Sequence, residues 1–256
     1  MSSQHRVVGE LACQRDSYLR TLDTVVIACR ERSSKAKSKA VNGKGTPNTA
    51  KSSKTEQEQI PQMWEIEFAD SVLFPEGIPF RLPQVQILTV GGGQPTDSGT
   101  LAVTSSKSED ASLPAQPIQI ASVERQGLHC VHVSPYPLQP GTLVRQQVDF
   151  TRRWDHMQQH TGQHLLSAIM DTYKDLNTIG WGMGSPGEMN YVELPRAPTA
   201  DEIQEIQVKC TGIIREDLPI TVNIPDDAKT TKLPGDYDKE NGVIRVIKIG
   251  NLDNNT

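Results

Sequence analysis

The chain of 256 residues lacks three features that would assign it to whole classes of protein. It has no apolar run close to the roughly 20 residues that a membrane span needs, so we expect no membrane partner. Residues 1–10 are polar and lack the apolar core of a signal peptide. Four cysteines are scattered without a CxxC pair, which favours reduced thiols over a disulfide framework. Together these absences predict a cytoplasmic protein.

Two enzyme signatures are missing as well. Thr161 follows His160 where an HExxH zinc protease would place glutamate, and the glycine-dense turn at 91–99 fits neither a Walker nor a dinucleotide-binding pattern. The net charge is −5, so neither a general nucleic-acid coat nor a DNA partner is expected. Positive charge is concentrated in residues 30–54, which carry +7 against −12 in the remainder. Any RNA contact is therefore expected to be local.

Residues 1–150 are predicted to form a first domain, a small β-barrel. Short stretches rich in β-branched residues or with alternating polarity are separated by Gly/Pro turns, which is typical of barrels and sandwiches. The predicted strands are Leu22–Cys29, Trp64–Phe68, Gln84–Val90, Pro117–Val123, Leu128–Val133 and Thr142–Phe150. Residues 33–59 are polar and basic with few large apolar side chains, which predicts a disordered loop. Residues 105–116 are predicted as a second, shorter loop.

Residues 151–256 are predicted to form a second domain, a two-layer α+β unit with an antiparallel sheet. Helices are predicted at Thr151–Tyr173 and Thr199–Asp217, and the second begins with a capping box of Thr199 and Glu202. The predicted strands are Asn190–Leu194, Pro219–Ile224 and Val243–Ile249. The side chains predicted to face inward are Met157, Leu165, Ala168, Ile169 and Tyr173 on the first helix and Ile203, Ile206, Cys210, Ile213 and Ile214 on the second.

Three histidines share one face of the first predicted helix. His156, His160 and His164 follow one another at intervals of four residues, which stacks them one turn apart. A straight helix spreads the three over about 12 Å, so one zinc ion, with Zn–N near 2 Å, uses only an adjacent pair. The spacing does not choose between His156/His160 and His160/His164. The alternative is that all three are surface or capping residues.

A second candidate for metal binding lies on the strand Leu128–Val133. Cys130 and His132 share a face of this strand and His129 lies on the other. They would complete a metal site only if this strand approaches the helix, and ordinary edge-strand residues are the favoured interpretation. If they do complete it, the chain is expected to be a metal-dependent hydrolase of another, unrelated kind.

Taken together, three motifs resemble those of the alanyl-tRNA editing proteins, the AlaX family, which is related to the editing domain of alanyl-tRNA synthetase. The residues 13–18 (CQRDSY) look like the start of eukaryotic members, and 91–99 (GGGQPTDSG) looks like the family's glycine-rich motif. The segment 153–166 (RWDHMQQHTGQHLL) is close to the family's first zinc motif and is the most specific of the three. The resemblance spans nearly the whole chain apart from the loops.

The resemblance implies a fold and an activity. The fold is an N-terminal barrel of the translation-protein type followed by the α+β editing domain. The activity is hydrolysis, in trans, of the ester bond of tRNA(Ala) mischarged with serine, with Zn²⁺ as cofactor. It implies that His160 and His164 are the zinc ligands and that Thr161 and Gln163 beside them recognise the seryl group or position water. Gly91, Gly92, Gly93, Gln94 and Asp97 are the residues implied to bind the substrate at the tRNA 3′ end.

Two departures from the family pattern generate further expectations. The family completes its zinc site with a Cys-x-x-x-His element, and this chain stops at Thr256, where that element is expected to begin. A shortened form is therefore expected, and the alternative function is a catalytically incomplete isoform that binds tRNA or a protein partner. The family also runs its Phe-Pro-Glu-Gly directly into Gly-Gln-Pro, whereas here Ile78–Val90 intervene. This insert is expected to displace the glycine loop. The oligomeric state is not predicted.

Overall fold

A computed structural model describes residues 5–33, 61–75, 79–82, 85–89, 94–105, 114–184, 189–224 and 246–255. Apart from Ser33, the predicted disordered loop at 33–59 lies outside these residues, as do most of the loop at 105–116 and all of Gly91–Gly93. The architecture is α+β, as predicted. None of the helices in the described ranges is long and apolar enough to cross a bilayer.

Seven strands of the first 148 residues form one curled antiparallel sheet. They are β1 (Thr21–Glu31), β2 (Trp64–Phe68), β5 (Gly99–Ser105), β6 (Ile118–Gln119), β7 (Ser122–Gln126), β8 (His129–Ser134) and β9 (Leu143–Val148). Their order across the sheet is β6-β5-β9-β1-β2-β8-β7. A short helix, α1 (Ala12–Arg15), precedes them. Within the predicted insert, β3 (Pro79–Leu82) and β4 (Val85–Thr89) pair as a separate hairpin.

The curl of the sheet follows from its topology. The edge strands β6 and β7 are consecutive in the chain and are separated only by Ile120 and Ala121. These two residues reach opposite edges, because Ile120 N donates to Gly99 O at 3.0 Å and Ala121 N donates to Val133 O at 2.8 Å. The prediction of one continuous strand at Pro117–Val123 is therefore wrong. The chain passes from one edge of the sheet to the other in the middle of that segment.

The interpretation of Cys130 and His132 as edge-strand residues also needs correction. The strand β8 pairs with both β2 and β7, so Cys130 and His132 do not lie on an edge strand. In β9 the burial alternates strictly, with Val144, Gln146 and Val148 inside and Leu143 outside. The polar Gln146 is buried because its Oε1 accepts a hydrogen bond from Val72 N at 2.8 Å. That partner lies on a distant segment, so the local pattern did not reveal it.

The second half is built on two helices, α2 (Phe150–Met170) and α3 (Ala200–Glu216). Asp149 caps α2 by accepting from Arg152 N, and the predicted Thr199–Glu202 capping box of α3 is confirmed. The remaining strands form two small antiparallel sheets. These are the pair β10 (Gly180–Gly182) with β11 (Tyr191–Glu193), and the triplet β12 (Ile220–Asn223), β13 (Val246–Ile249) and β14 (Asp253–Asn255).

The two helices pack on each other through a modest apolar cluster. Its buried members are Leu165, Ile169, Met170, Leu176 and Ile206. Ile203 and Ile214, predicted to face inward, are exposed, because only the narrow stripe of α3 around Ile206, Cys210 and Ile213 meets this cluster. The first half has its own, larger core inside the curled sheet.

Candidate functional site

The segment Gln94–Ser98 lies along the N-terminal part of α2, and a series of hydrogen bonds joins the two. Asp149 N donates to Ser98 O at 2.8 Å, and Arg152 Nε donates to Thr96 O at 3.2 Å. At the far end Gln94 reaches His160, with 2.9 Å between Gln94 Oε1 and His160 Nδ1. The end of the predicted glycine-rich motif and the predicted zinc motif are therefore adjacent in space.

Arg153 anchors this arrangement. Its guanidinium is fully buried and forms an ion pair with the buried Asp97 carboxylate, while Nη1 and Nη2 donate to Ser17 O at 3.0 Å and Val72 O at 2.7 Å. Asp97 also accepts from Phe74 N at 2.6 Å. Through these contacts Asp97 holds α2 against the sheet, and its binding of substrate stays a prediction.

His160 and His164 are placed side by side on α2, as the helical spacing predicted. Their ring centroids are 4.8 Å apart and the planes differ by 23°. Because the Gln94 oxygen is an acceptor, His160 carries its proton on Nδ1 and keeps the Nε2 lone pair, the state required of a metal ligand. Burial, together with the neighbouring His164 and His156, lowers the pKa of His160 to about 4. The ring is therefore neutral at pH 7.

The residues at the site fit zinc in chemistry but supply only part of its coordination. Imidazole is a standard zinc ligand, and tetrahedral sites take four ligands. Within the described ranges, the sole group of three or more clustered His, Cys, Asp or Glu ligands is His5, Glu67 and His129, so no third such side chain joins His160 and His164. The pair therefore fits as half of a zinc site.

His156 lies in different surroundings from His160 and His164. It is buried, and among the described residues its Nδ1 has no hydrogen-bond partner. Burial, and after it the positive charge of Arg152, lowers the pKa of this histidine. His156 lies one turn from His160 beside the Arg153 anchor, whereas Gln94 reaches the other end of the site. His160 belongs to both of the pairs that the spacing allows.

Gln163, next to the pair, begins a chain of polar contacts. Its Nε2 donates to Ser167 Oγ at 2.8 Å, and Ser167 Oγ lies 2.7 Å from Thr178 Oγ1. With the amide nitrogen engaged, Gln163 Oε1 has no partner among the described residues and is shielded from solvent. Thr161, on the other side of His164, is half-buried. Gln163 Oε1 is thus a buried acceptor on the helix that carries the two imidazoles.

Trp181 is a site residue that the sequence analysis missed. Its ring centroid lies 5.0 Å from that of His160 and 6.3 Å from that of His164, and it comes from the small hairpin of β10 and β11. The neighbouring Gly180 and Gly182 leave room for the Glu193 and Tyr191 side chains of the facing strand, each of which would be within 2.8 Å of an added Cβ. A tryptophan between two glycines was the available signal.

Cys130 and His132 belong to the core of the sheet. His132 is fully buried, packs edge-on against Phe68 at 4.8 Å between centroids, and its Nε2 lies 2.9 Å from Ser71 Oγ. Cys130 is buried too, which raises the pKa of its thiol. Neither residue falls in a ligand cluster with His160 or His164 in the described part of the chain. The hypothesis of an unrelated metal-dependent hydrolase, with Cys130 or His132 as extra ligands, is therefore not supported.

The chain is similar in sequence to known proteins that are named for alanyl-tRNA editing. No family model matches it. A Saccharomyces cerevisiae protein named, provisionally, alanyl-tRNA editing protein alaX is 35% identical over 268 residues, covering 97% of this chain and 50% of that protein. Alanyl-tRNA editing protein Aarsd1 of Bos taurus is 32% identical over 247 residues, covering 95% and 46%. Alanyl-tRNA editing protein AlaX-L of Pyrococcus horikoshii is 28% identical, covering 64% and 39%. The chain spans about half the length of the first two relatives.

Proposed function

The chain belongs to the AlaX family of alanyl-tRNA editing proteins, in its eukaryotic type, and on this premise we propose that it is a trans-acting aminoacyl-tRNA deacylase. The proposed reaction is hydrolysis of the ester that joins serine to tRNA(Ala). The observation that carries the proposal is the pair of stacked imidazoles on α2, with His160 held in a metal-binding tautomer by Gln94. The proposed setting is a translation-protein-like barrel, residues 1–150, followed by an editing domain, residues 151–256, in the cytoplasm.

His160 and His164 are the proposed zinc ligands. A bound zinc ion would supply Lewis-acid chemistry and activation of water for attack on the aminoacyl ester. Gln94 keeps the Nδ1 proton of His160 in place, and burial keeps the ring neutral at pH 7, so Nε2 is available without competition from protons. The indole of Trp181, with its centroid 5.0 Å from that of His160 and 6.3 Å from that of His164, is proposed to limit the access of bulk water.

Discrimination of serine from alanine is assigned to the polar groups beside the ligands. Gln163 Oε1 is an acceptor with no partner in the described part of the chain, and Nε2 of the same amide is fixed by Ser167. A seryl hydroxyl would satisfy this oxygen and an alanyl methyl would not. A site built to hydrogen-bond a hydroxyl rejects the analogue that lacks it by about 10⁴-fold. Thr161 is proposed to contribute on the opposite side, and Gly91–Gly93 to line the path of the tRNA 3′ end.

A second function is favoured by one specific observation. Among the described residues only two metal-ligating side chains meet at the site, and a closed zinc site uses four. The alternative is a catalytically incomplete form that binds tRNA or a protein partner without hydrolysis. tRNA binding without serine release is its signature.

The test is release of serine from Ser-tRNA(Ala) by the 256-residue chain with added zinc, beside His160→Ala. Losing an outer partner of a metal ligand already costs about 10–100-fold, so losing the ligand itself is expected to lower turnover by at least about 100-fold. The control is Gln158→Ala, because this exposed side chain lies about 200° around α2 from His160. Equal turnover by His160→Ala would reject the proposed site. tRNA binding without turnover would favour the second function.

A further inference from the structure

A second set of metal-ligating side chains lies on the curled sheet, on elements that contribute nothing to the site on α2. One ligand atom each from His5, Glu67 and His129 fall within 4.8 Å of one another. Glu67 is on β2 and His129 on the neighbouring strand β8, and their side chains share a face because Glu67 pairs with Val131, two residues from His129. His5 precedes α1 and comes from a distant part of the sequence.

The burial and hydrogen bonds of Glu67 are those expected of a metal-binding carboxylate. It is only 8% exposed, and β2 pairs on both sides, with β1 and β8. Its Oε1 accepts from Arg30 Nη1 at 3.2 Å, while Oε2 lies 2.8 Å from His129 Nδ1. Arg30 is itself fixed by Glu65, at 2.7 Å. One carboxylate oxygen is thus anchored by an outer partner and the other faces the imidazoles, the division of roles found around metal-ligating carboxylates.

Two backbone hydrogen bonds hold the N-terminal segment against the sheet and place His5 beside Glu67 and His129. Arg6 N donates to Ala69 O at 2.9 Å, just beyond the end of β2, and Val8 N donates to Leu128 O at 2.9 Å, just before β8. These two bonds bracket the place where Glu67 and His129 meet. The His5 and His129 ring centroids lie 5.6 Å apart with planes 34° from parallel. The imidazoles therefore approach the same carboxylate from two segments that are fixed independently.

From this geometry we propose that His5, Glu67 and His129 form a binding site for a divalent transition-metal ion, with Zn²⁺ as the best-suited member of the class. Two imidazoles and one carboxylate are borderline ligands that favour zinc and its neighbours over calcium or magnesium. Ligand atoms of a tetrahedral zinc site lie about 3.3 Å apart, from Zn–ligand distances near 2 Å. The Glu67–His129 contact of 2.8 Å is already close to that separation, and the His5 ligand atom lies within 4.8 Å of both.

The site differs in exposure and role from the pair on α2. His129 has 55% of its side chain exposed, so the proposed site lies at the surface of the protein, where water would reach a bound ion. A bound ion would link the segment that precedes α1, through His5, to the centre of the sheet. The proposed role of the ion is therefore to stabilise the position of the N-terminal segment. The inference does not depend on the proposed deacylase activity.

The experiment counts zinc ions bound to the full chain by calorimetric titration after the α2 pair is removed by His160→Ala with His164→Ala. One equivalent of Zn²⁺ is expected to bind in this background. Adding either His5→Ala or His129→Ala is expected to weaken that binding by at least about tenfold. Both side chains lie at the surface of the sheet, so these variants are expected to fold, which circular dichroism verifies.

The matched control is Asp23→Asn in the same background. Asp23 is a carboxylate on the neighbouring strand β1 that pairs with Arg145. It is outside the ligand group and outside its hydrogen-bonded partners, so zinc binding is expected to persist. No zinc binding in the doubly substituted background overturns the proposal. Binding that survives both His5→Ala and His129→Ala overturns it as well, because the ion then sits elsewhere.

Discussion

Among single residues, Gln94 has a well-defined partner. The family resemblance implies that it binds substrate, which stays a prediction, and the structure places its side-chain oxygen 2.9 Å from Nδ1 of His160. Gln94 is buried and lies 66 residues earlier in the chain. Loss of a partner that fixes the tautomer of a metal-ligating histidine typically lowers the affinity for the metal by about 10–100-fold. We therefore assign Gln94 to positioning His160.

This assignment predicts the effect of Gln94→Ala. Zinc affinity at the α2 pair is expected to fall by about 10–100-fold, while the fold is retained. The measurement is Trp181 fluorescence during zinc titration, since the indole lies 5.0 Å from His160. In the metal-free protein, ¹⁵N NMR of the histidine rings is expected to show the proton of His160 moving away from Nδ1. Gln158→Ala serves as control, and unchanged affinity in Gln94→Ala would reject the positioning role.

His132 provides a pH prediction in the core of the sheet. Complete burial lowers its pKa from 6.5 to about 4. Between these values the unfolded chain binds a proton that the folded chain does not, so stability falls as the pH drops from about 6.5 to 4. At about 1.4 kcal/mol per pKa unit, the loss is on the order of 3 kcal/mol.

The check is urea unfolding of wild type and His132→Gln between pH 4 and 7. Glutamine does not titrate and can still hydrogen-bond to Ser71, so the variant is expected to lose stability less steeply toward low pH. Val131→Ala, a cavity-forming change at a buried position on the same strand, is expected to be destabilised at every pH with the wild-type slope. A wild-type slope in His132→Gln would contradict the prediction.

At the residue scale, the sequence predicted what lies within one helix and not what crosses between segments. The juxtaposition of His160 and His164 follows from a spacing of four on a helix. The contacts Gln94–His160 and Arg153–Asp97 each join residues more than 50 positions apart, and no local periodicity encodes them. Trp181 was missed for the same reason, since it reaches α2 from a separate hairpin.

At the scale of elements, helix α2 is fixed to the sheet by one buried ion pair. Arg153 and Asp97 are 1% and 0% exposed in their side chains. Removing one partner of such a pair leaves the other charge buried and uncompensated, which costs about 3–5 kcal/mol. Asp97→Asn is therefore expected to lower the free energy of unfolding by that amount in chemical denaturation.

The chain offers a matched exposed pair for comparison. Arg145 and Asp23 are also joined by two hydrogen bonds, at 2.7 and 2.8 Å, but their side chains are 58% and 63% exposed. Solvent screens exposed pairs of this kind and leaves them little net effect on stability, so Asp23→Asn is expected to change the free energy of unfolding little. If Asp97→Asn costs no more than Asp23→Asn, the anchoring role of the buried pair is refuted.

Element types were predicted best where capping and periodicity agree. The start of α3 at Thr199 was predicted from its capping box, and α2 differs by one residue at its start and three at its end. The strand β5 was missed because Gly99 reads as part of a glycine loop. In the structure Gly99 begins the strand, and its missing side chain admits Gln147 O and Leu73, both within 2.6 Å of where a Cβ would lie. The glycine serves close strand packing there, which its sequence neighbours do not reveal.

At the scale of the whole molecule, the described residues of the two halves differ in how much apolar surface they bury. The curled sheet encloses an extensive core that includes Leu11, Ile66, Leu101, Val123 and Val144. The helical half has a small cluster and leaves several apolar side chains exposed: Ile203, Val208, Ile214, Ile220, Val222 and Ile224. Regions with few buried apolar contacts open at a lower free energy than the rest of a protein. The composition of the chain, which is an average over both halves, gave no sign of this difference.

Native-state hydrogen exchange is expected to resolve the two halves. Amides of β1, β2, β8 and β9 lie between paired strands over the large core, so they are expected to exchange only through global unfolding. Amides of β12, whose described side chains are all exposed, are expected to exchange through local opening, at rates at least about 100-fold faster, which corresponds to roughly 3 kcal/mol less protection. Measuring the exchange in increasing urea separates the two routes, because local opening responds weakly to denaturant and global unfolding responds strongly. Equal protection and equal urea dependence in β12 and β9 would mean that the helical half is as tightly coupled to the sheet as the strands are to one another, with the Arg153–Asp97 pair strong enough to unite them.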